Sequence, residues 1–313
     1  MAVLRGLRDH LRSAVLGQDE ALGGLCDALL AGEMGHTPPG RPRSLALLLG
    51  PTGTGKTKAV LSASEHLFGT NCVARINCAE FSSAERVPLL LGSRAGDPGL
   101  LGLSISRMRE AGGRIVLLDE IEKAHPSVAD HLLGIEEAAV TLASGETLDL
   151  SGLHIIATSN VGSAGVTGME GVSRSSVRRF VEQEASAQFR PEVLARFTAI
   201  LVFGHLSRDV QVRICEQMLA EEVVFQARAL TRSLGHAHDI GIEADVPRRL
   251  VSEGWHRRLG ARPMRNAVER RVRGALVDSQ LRGALGPGVT RSALAVDPAG
   301  AVRLAIRRAA VTL

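Results

Sequence analysis

The sequence predicts an α/β protein of two domains, the first of which is built on a central parallel sheet. Short apolar runs alternate with helical patterns over roughly the first two thirds of the chain, which is typical of a parallel α/β sheet. A glycine-rich loop follows the first apolar run, at the point where the chain turns from a strand into a helix. Longer amphipathic patterns then replace the strands. The candidate strands are residues 45–49, 72–76, 114–118, 153–158 and 199–202.

The last third of the chain has the pattern of a smaller, mostly helical domain. We predict an α/β domain over residues 1–204 and a helical lid over residues 205–313. The final stretch, SALAVDPAGAVRLAI, predicts a short β-hairpin that turns at Asp-Pro-Ala-Gly. The Gly- and Ser-rich stretch 162–178 predicts a mobile loop. The predicted helices of the second domain are residues 208–232, 246–253 and 261–285.

Composition favours a folded protein that works inside the cell. Hydrophobic residues make up 45% of the 313 residues and charged residues 22%, which excludes a disordered chain. No apolar run reaches membrane-spanning length, the N-terminal stretch lacks the apolar core of a signal peptide, and the four cysteines show neither metal-ligand spacing nor disulfide density. We therefore expect a cytoplasmic protein with reduced thiols and no membrane partner. The net charge of +4 weakly favours an acidic partner, but 3% aromatic residues and no tyrosine argue against a base-stacking surface for nucleic acid.

The stretch LALLLGPTGTGKT has the strand, loop and helix order of a phosphate-binding loop. Its glycines let the backbone turn tightly, so that successive N–H groups face phosphate oxygens, and the positive end of the following helix faces the same anion. Lys56 would place a charge on the β- and γ-phosphates, and Thr57 would give a hydroxyl to Mg²⁺. The pattern predicts a nucleoside triphosphate site, and the loop consists of Gly50, Pro51, Thr52, Gly53, Thr54, Gly55, Lys56 and Thr57.

Two acidic residues, Asp119 and Glu120, end the third apolar strand. Ligands bind at the carboxyl edge of open α/β sheets, so both carboxylates are placed for chemistry. Asp119 would hold Mg²⁺, largely through its water shell, and Glu120 would orient and deprotonate an attacking water. The alternative to a catalytic role is that the two acids simply end a strand at the solvent-exposed surface.

The next strand, HIIATSN, ends on Asn160. Its amide would lie between the γ-phosphate and the attacking water, or it would cap the following turn, as asparagine often does. The residues by themselves leave both interpretations open.

Taken together, these stretches resemble the AAA+ ATPases, and within them the second ATPase module of the ClpA and ClpB unfoldases. Six motifs occur in the family's order and span almost the whole chain, which makes a chance match untenable. They are VLGQDEAL, GPTGTGKT, LLDEIEKAHP, IIATSNVGS, FRPEVLARF and GWHRRLGARPMRNAVE.

The resemblance implies ATP and Mg²⁺ as cofactors and a homo-oligomer, most simply a hexameric ring. It implies that Leu16 lies beside the adenine and that Asn160 senses the γ-phosphate. Arg196 would be an arginine finger that enters the neighbouring subunit's site, a role worth about 10³–10⁵ in rate. Arg262 would couple the lid angle to the phosphate state. Without the resemblance, an arginine at the position of Arg196 is more often a solvated surface residue. For Arg262, a nearby glycine and the following proline make an exposed helix-start arginine the less favoured alternative.

The resemblance breaks where a substrate would be gripped. Clp-type unfoldases carry an aromatic residue in a GYVG pore loop, whereas Asp97 and Pro98 occupy the corresponding places here. A carboxylate is strongly hydrated and proline stiffens a loop, so we expect ATP hydrolysis with weak general unfolding. A shifted register would make Leu100 and Leu101 the gripping residues. The family's docking domain, first ATPase module, coiled-coil insertion and peptidase-docking loop are not found, which favours a specialised remodeller.

The sequence leaves three functions open. The leading one is an oligomeric, Mg²⁺-dependent ATPase that remodels a dedicated protein partner. The second is a scaffold whose assembly is switched by nucleotide and whose turnover is slow. The third is a nucleic-acid-associated AAA+ protein, for which steeply salt-dependent DNA binding would be the sign.

Overall fold

The computed structural model of the protein describes residues 2–94, 96–128, 137–142, 145–166, 169, 171–256, 259–285 and 289–306. Its contacts divide the chain into two compact units, residues 1–205 and residues 206–313. Among the described residues, no helix combines the length and the apolar character needed to cross a membrane.

The first unit is built on a five-stranded parallel sheet with the strand order β2-β3-β6-β1-β7. All five predicted strands are present, and the predicted α/β fold class is confirmed. The strands of this sheet are β1 (Ser44–Leu49), β2 (Val73–Asn77), β3 (Ile115–Asp119), β6 (His154–Thr158) and β7 (Ala199–Val202).

Helices cover both faces of this sheet, which is why its central strands read as continuous apolar runs. Every residue of β1 is buried, and alternate residues enter separate cores: Leu47 packs in one and Leu48 in the other. The first core lies under α4, α5 and α7, and the second lies under α1, α2 and α3. The helices of this unit are α1 (Ala2–Ala14), α2 (Asp19–Glu33), α3 (Lys56–Phe68), α4 (Val87–Leu91), α5 (Gly99–Glu110), α6 (Ser163–Val166), α7 (Arg174–Gln188) and α8 (Pro191–Leu194).

The two cores determine which residues meet at the carboxyl edge. Leu117 on β3 and Ile156 on β6 belong to the core under α3. Side chains alternate along a strand, so Asp119 and Thr158, two residues further on, lie on this same face. The end of β3 and the end of β6 therefore meet the first turn of α3.

The predicted mobile loop over residues 162–178 is wrong in part. Helix α6 and the start of α7 occupy much of this stretch, and residues 167, 168 and 170 lie outside the described residues. One of the serines that suggested a loop is the N-cap of α7, because Ser173 Oγ accepts a hydrogen bond from Ser176 N. A small antiparallel pair, β4 (Ala139–Thr141) and β5 (Thr147–Asp149), was not predicted, because three-residue strands show too little alternation.

The second unit packs three helices against a three-stranded sheet. The predicted hairpin is present as the antiparallel pair β9–β10, and a further strand, β8, pairs in parallel with β9. The predicted helix over residues 261–285 ends at Leu281. The elements are α9 (Arg208–Leu234), β8 (Asp239–Ile242), α10 (Val246–Gly254), α11 (Arg262–Leu281), β9 (Arg291–Val296) and β10 (Val302–Ile306).

Candidate active site

The loop between β1 and α3 has the backbone of an anion-binding turn. Gly50, Gly53 and Gly55 have φ angles of +130°, +73° and +105°, a region that side chains other than glycine rarely adopt. A Cβ atom at Gly50 would lie 2.2 Å from the carbonyl oxygen of Phe203, and one at Gly55 would lie 2.6 Å from Val15 Cγ1. The tight turn thus requires glycine at these two positions.

Lys56 is buried at the base of this loop. Its Nζ donates to the carbonyl oxygens of Gly50 at 2.7 Å and Pro51 at 2.9 Å, and to Asn160 Oδ1 at 3.0 Å. Burial lowers the pKa of Lys56 to about 8, although nearby carboxylates act to raise it. The ammonium is still the main form at neutral pH, and its position under the loop suits a bound phosphate.

Asp119 accepts hydrogen bonds from two hydroxyl groups and from a guanidinium group. Its Oδ1 accepts from Thr57 Oγ1 at 2.9 Å and from Thr158 Oγ1 at 2.6 Å, and its Oδ2 accepts from Arg75 Nη2 at 2.6 Å. Burial raises the pKa of Asp119, but these hydrogen bonds outweigh it, so the pKa is lowered. A hydroxyl and an ionised carboxylate are the hard oxygen ligands that Mg²⁺ prefers, so Thr57 and Asp119 fit the metal that accompanies a nucleotide.

Glu120 is held in an unusual backbone conformation. Its φ of +57° and ψ of +49° lie in the left-handed region, which costs a residue with a Cβ about 1–3 kcal/mol. The backbone N–H of Glu120 donates to Thr158 Oγ1 at 3.1 Å. The carboxylate accepts from Lys123 Nζ at 2.5 Å through Oε2 and from Asn160 Nδ2 at 3.3 Å through Oε1. The turn thus directs the acid toward the end of β6.

Asn160 connects the loop to the acidic strand end. Its Oδ1 accepts from Lys56 and from Thr52 Oγ1, the latter at 3.2 Å, while its Nδ2 donates to Glu120 and to Glu122 Oε1, the latter at 3.1 Å. The following turn is closed instead by the backbone carbonyl of Asn160, which accepts from the N–H of Ser163 at 3.2 Å. The amide is therefore committed to the site.

The first motif packs against the phosphate loop. Leu16 and Val15 are buried, and the Val15 side chain lies beside Gly55. Gln18 makes two hydrogen bonds of 3.0 Å with the backbone of Gly204, one as donor and one as acceptor. These contacts hold the start of α2 next to the loop.

Arg196 lies on the side of the amino ends of the strands, whereas the phosphate loop lies at their carboxyl ends. It follows α8 and precedes β7, which is an edge strand. The N–H of Thr198 donates to the carbonyl oxygen of Leu45 at 2.8 Å, which places this segment beside the amino end of β1. Since the phosphate loop leaves the carboxyl end of β1, the structure does not place Arg196 beside Lys56.

Arg262 belongs to the second unit, where it is the first residue of α11. It is exposed, and it follows Gly260, whose φ is +59°. Pro263 stands at the helix start, where its missing N–H is no loss.

In the segment that the resemblance aligns with the pore loop, the Asp97 carboxylate accepts hydrogen bonds from the residues around it. Its Oδ2 accepts from Ser93 N at 2.9 Å and from Ser93 Oγ at 3.0 Å, and its Oδ1 accepts from Gly99 N at 3.0 Å. These hydrogen bonds lower the pKa of Asp97, and the bond from the N–H of Gly99 contributes most to the shift. Leu101 is buried in the core, so it cannot grip a substrate, whereas Leu100 is 39% exposed. Of the two leucines, Leu100 alone could contact a partner.

Four residues in the site were not predicted from the sequence. Thr158 and Gln18 belong to motifs that were found, but their side chains received no role. Arg75 lies on the neighbouring strand β2, where the alternation Val-Ala-Arg-Ile-Asn places it on the face opposite to Ala74 and Ile76. Glu122 lies just beyond the acidic pair, and its buried Oε2 has no hydrogen-bond partner among the described residues.

Two family models match the chain. The model described as "AAA domain (Cdc48 subfamily)" matches residues 41–200, and the model described as "C-terminal, D2-small domain, of ClpB protein" matches residues 206–292. The first match covers every residue of the network that joins the phosphate loop to Asp119, Glu120 and Asn160. The second covers α9, α10 and α11.

Individual relatives agree with these matches. The chain is 33% identical to a chaperone protein ClpB from Pseudomonas putida, over 92% of this chain and 33% of the relative. It is also 33% identical to a Clp protease ATP-binding subunit ClpA homolog from Pyropia yezoensis, over 91% of this chain and 36% of the relative. A solved structure of Hsp104:ATPyS with FITC casein, in a closed state, matches with a TM-score of 0.81 and 25% identity, over 97% of this chain and 52% of that chain. The chain thus spans about a third of the length of these curated relatives.

Proposed function

This chain belongs to the AAA+ ATPases of the Clp type, and from that premise we propose that it is an oligomeric, Mg²⁺-dependent ATPase that remodels a protein partner. The observation that carries the proposal is the network around Asn160. One amide contacts both Lys56, the candidate phosphate ligand, and Glu120, the candidate base. Such a contact would let the γ-phosphate and the attacking water be positioned together.

The binding residues would act by charge and by backbone geometry. The N–H groups of the loop and the ammonium of Lys56 would offset the charge of the triphosphate, and Leu16 would lie beside the adenine. Thr57 and Asp119 would hold Mg²⁺, which would supply further neutralisation of the phosphates when bound. The loop glycines have the positive φ angles that a tight anion-binding turn needs, which supports this role.

Glu120 would carry the chemical step. It would accept the proton of a water as that water attacks the γ-phosphorus, while the bond to the bridging oxygen breaks and ADP leaves. Asn160 would fix the direction of the carboxylate. The strained backbone of Glu120 supports this role, because strain of this kind persists where the surrounding structure holds a side chain in place for function.

The oligomeric part of the proposal rests on Arg196. Its place near the amino end of β1 removes it from its own phosphate loop, so a role in hydrolysis would require a neighbouring subunit. A ring, most simply a hexamer, would bring one subunit's Arg196 to the next subunit's γ-phosphate. Arg262, at the start of α11, would report the phosphate state to the second unit.

Subunit mixing tests this proposal. Neither Arg196→Ala nor Lys56→Ala protein should hydrolyse ATP alone, whereas the two co-assembled should recover part of the activity, because some interfaces pair an intact loop with an intact finger. Arg179→Ala, an exposed arginine on α7, serves as the matched control and should keep its own activity. Failure of the mixture to recover any activity, although both proteins assemble, would contradict the shared site.

A further inference from the structure

Arg75 forms an ion pair with Asp119, the candidate metal-binding carboxylate. It lies on β2, an edge strand, and its register partner on β3 is Leu117. The side chain therefore reaches diagonally along the sheet to Asp119, a distance that a long arginine can span. Its Nη2 and Nε donate to the same oxygen, Oδ2, at 2.6 and 3.2 Å.

The hydrogen bonds to Asp119 fill both of its oxygens. Each carboxylate oxygen offers about two lone-pair sites, and Oδ1 accepts from Thr57 and Thr158 while Oδ2 accepts twice from Arg75. The Thr57 hydroxyl can keep its bond to Asp119 and still offer a lone pair to a cation. Arg75 cannot, since it has donors alone and carries a positive charge that repels a second cation.

The two partners differ greatly in burial. The Asp119 side chain is 9% exposed, whereas that of Arg75 is 50% exposed. The carboxylate is fixed by two threonine hydroxyls, but the guanidinium has solvent on one side and can leave. A buried carboxylate without a counter-ion is costly, and this cost favours the ion pair with Arg75 in the absence of another cation.

We propose that Arg75 is a positioning residue that acts as an exchangeable counter-ion: it neutralises Asp119 and is displaced by the divalent cation that arrives with the nucleotide. The inference rests on the proposed ATPase function and adds to it a competition between arginine and metal. A purely structural role for Arg75 predicts the opposite sign. If Arg75 merely held Asp119 in position, its removal would weaken metal binding, whereas removal of a competitor strengthens it.

The test measures how strongly the metal and the nucleotide favour each other's binding. The dissociation constant of a fluorescent ADP analogue is determined with EDTA and again with saturating Mg²⁺. The constant with EDTA divided by the constant with Mg²⁺ is the ratio that measures this coupling. Arg75→Met should raise the ratio about tenfold or more relative to wild type, because one charge-assisted competitor is lost. Arg75→Lys, which keeps the cation, should remain closer to wild type, and Asp119→Ala should lower the ratio.

Arg114→Met is the matched control. Arg114 pairs with Glu33 at 3.0 Å, and its side chain is 44% exposed, so this variant also loses one charge and one arginine–carboxylate pair. The pair lies at the amino end of β3, so the ratio should equal that of wild type. Arg75→Gln provides a second test if Arg75→Met does not fold, and it should shift the ratio in the same direction.

The outcomes separate the two levels of the argument. An unchanged or lower ratio in Arg75→Met or Arg75→Gln, with a normal ratio in wild type, would overturn the counter-ion role and leave the ATPase proposal standing. A wild-type protein that bound no nucleotide, or bound it equally with Mg²⁺ and with EDTA, would overturn the proposed function and this inference together.

Discussion

Replacement of Asn160 by alanine removes the contact between the phosphate loop and the candidate base. The amide Nδ2 donates to Glu120 at 3.3 Å and to Glu122 at 3.1 Å, and Oδ1 accepts from Lys56 at 3.0 Å. Lys56 retains its bonds to two backbone carbonyls, so the loop and the fold should survive. The loss should fall mainly on the orientation of Glu120.

The size of the effect follows from the bonds that are lost. A hydrogen bond to a charged group contributes about 1.5 kcal/mol at the lower end of its range, and one of the lost bonds, that to Glu120, orients the base directly. If this energy acts in the transition state, the turnover rate should fall by about tenfold or more. Nucleotide affinity should change by less than about tenfold, since the charge of Lys56 remains.

The assay is a single-turnover measurement of ATP cleavage beside a fluorescence titration of nucleotide binding. Asn77→Ala is the control, because Asn77 also ends a strand at this edge but its amide bonds Glu80, at 2.9 Å, outside the network. It should stay within about threefold of wild type in both measurements. Turnover of Asn160→Ala within the same limit, or a loss of affinity as large as the loss of rate, would refute the assigned role.

Three further predictions concern pH, stability and the altered pore loop. Because the pKa of Lys56 is lowered to about 8, nucleotide affinity should weaken as the pH rises from 7 to 9; an unchanged dissociation constant in a titration would contradict this. Glu33→Gln should lower the free energy of unfolding by about 3 kcal/mol in denaturant titrations, because Glu33 is 11% exposed and pairs with His154 and two arginines. Burial raises the pKa of Glu33, but the three partners lower it by more, so the pKa is lowered in the folded protein. The stability that Glu33 contributes is therefore present above its unfolded pKa and is lost as the pH falls through its folded pKa. Equal acid stability of variant and wild type would argue against the cluster. Asp97→Ala should raise the protease sensitivity of its loop and leave basal turnover intact, whereas Leu100→Ser should reduce stimulation of turnover by a protein partner; the reverse pattern would make Asp97 the contact residue.

The sequence was sufficient for the elements whose pattern is strong and local. Buried parallel strands read as apolar runs, and the phosphate loop combines glycines with Lys56 and Thr57 in a fixed order. The carboxyl edge of a parallel sheet then predicts that Asp119 and Asn160 lie near that loop. These features depend on alternation and on chain order, both of which are visible without coordinates.

The contacts that depend on register between strands could not be predicted. Arg75 meets Asp119 diagonally across β2 and β3, and Thr158 meets the same carboxylate from β6, so three strands must be aligned before the cluster is visible. The role of Asp97 within its own loop was missed for a related reason. The resemblance to the Clp family showed only that Asp97 stands where an aromatic residue is expected. Its hydrogen bonds to Ser93 and Gly99 depend on the local turn, which the sequence does not show.

The most direct test of the account compares Lys56→Ala with Glu120→Gln. The central claim is that one site binds ATP through the loop and cleaves it through the acid at the end of β3. Lys56→Ala should lose nucleotide binding, because the loop then lacks the charge that offsets the triphosphate. Glu120→Gln should bind a fluorescent ATP analogue with near wild-type affinity and release no phosphate, because the metal site and fold remain while the base is lost. Equal loss of binding in both variants, or phosphate release by Glu120→Gln at the wild-type rate, would contradict the claim.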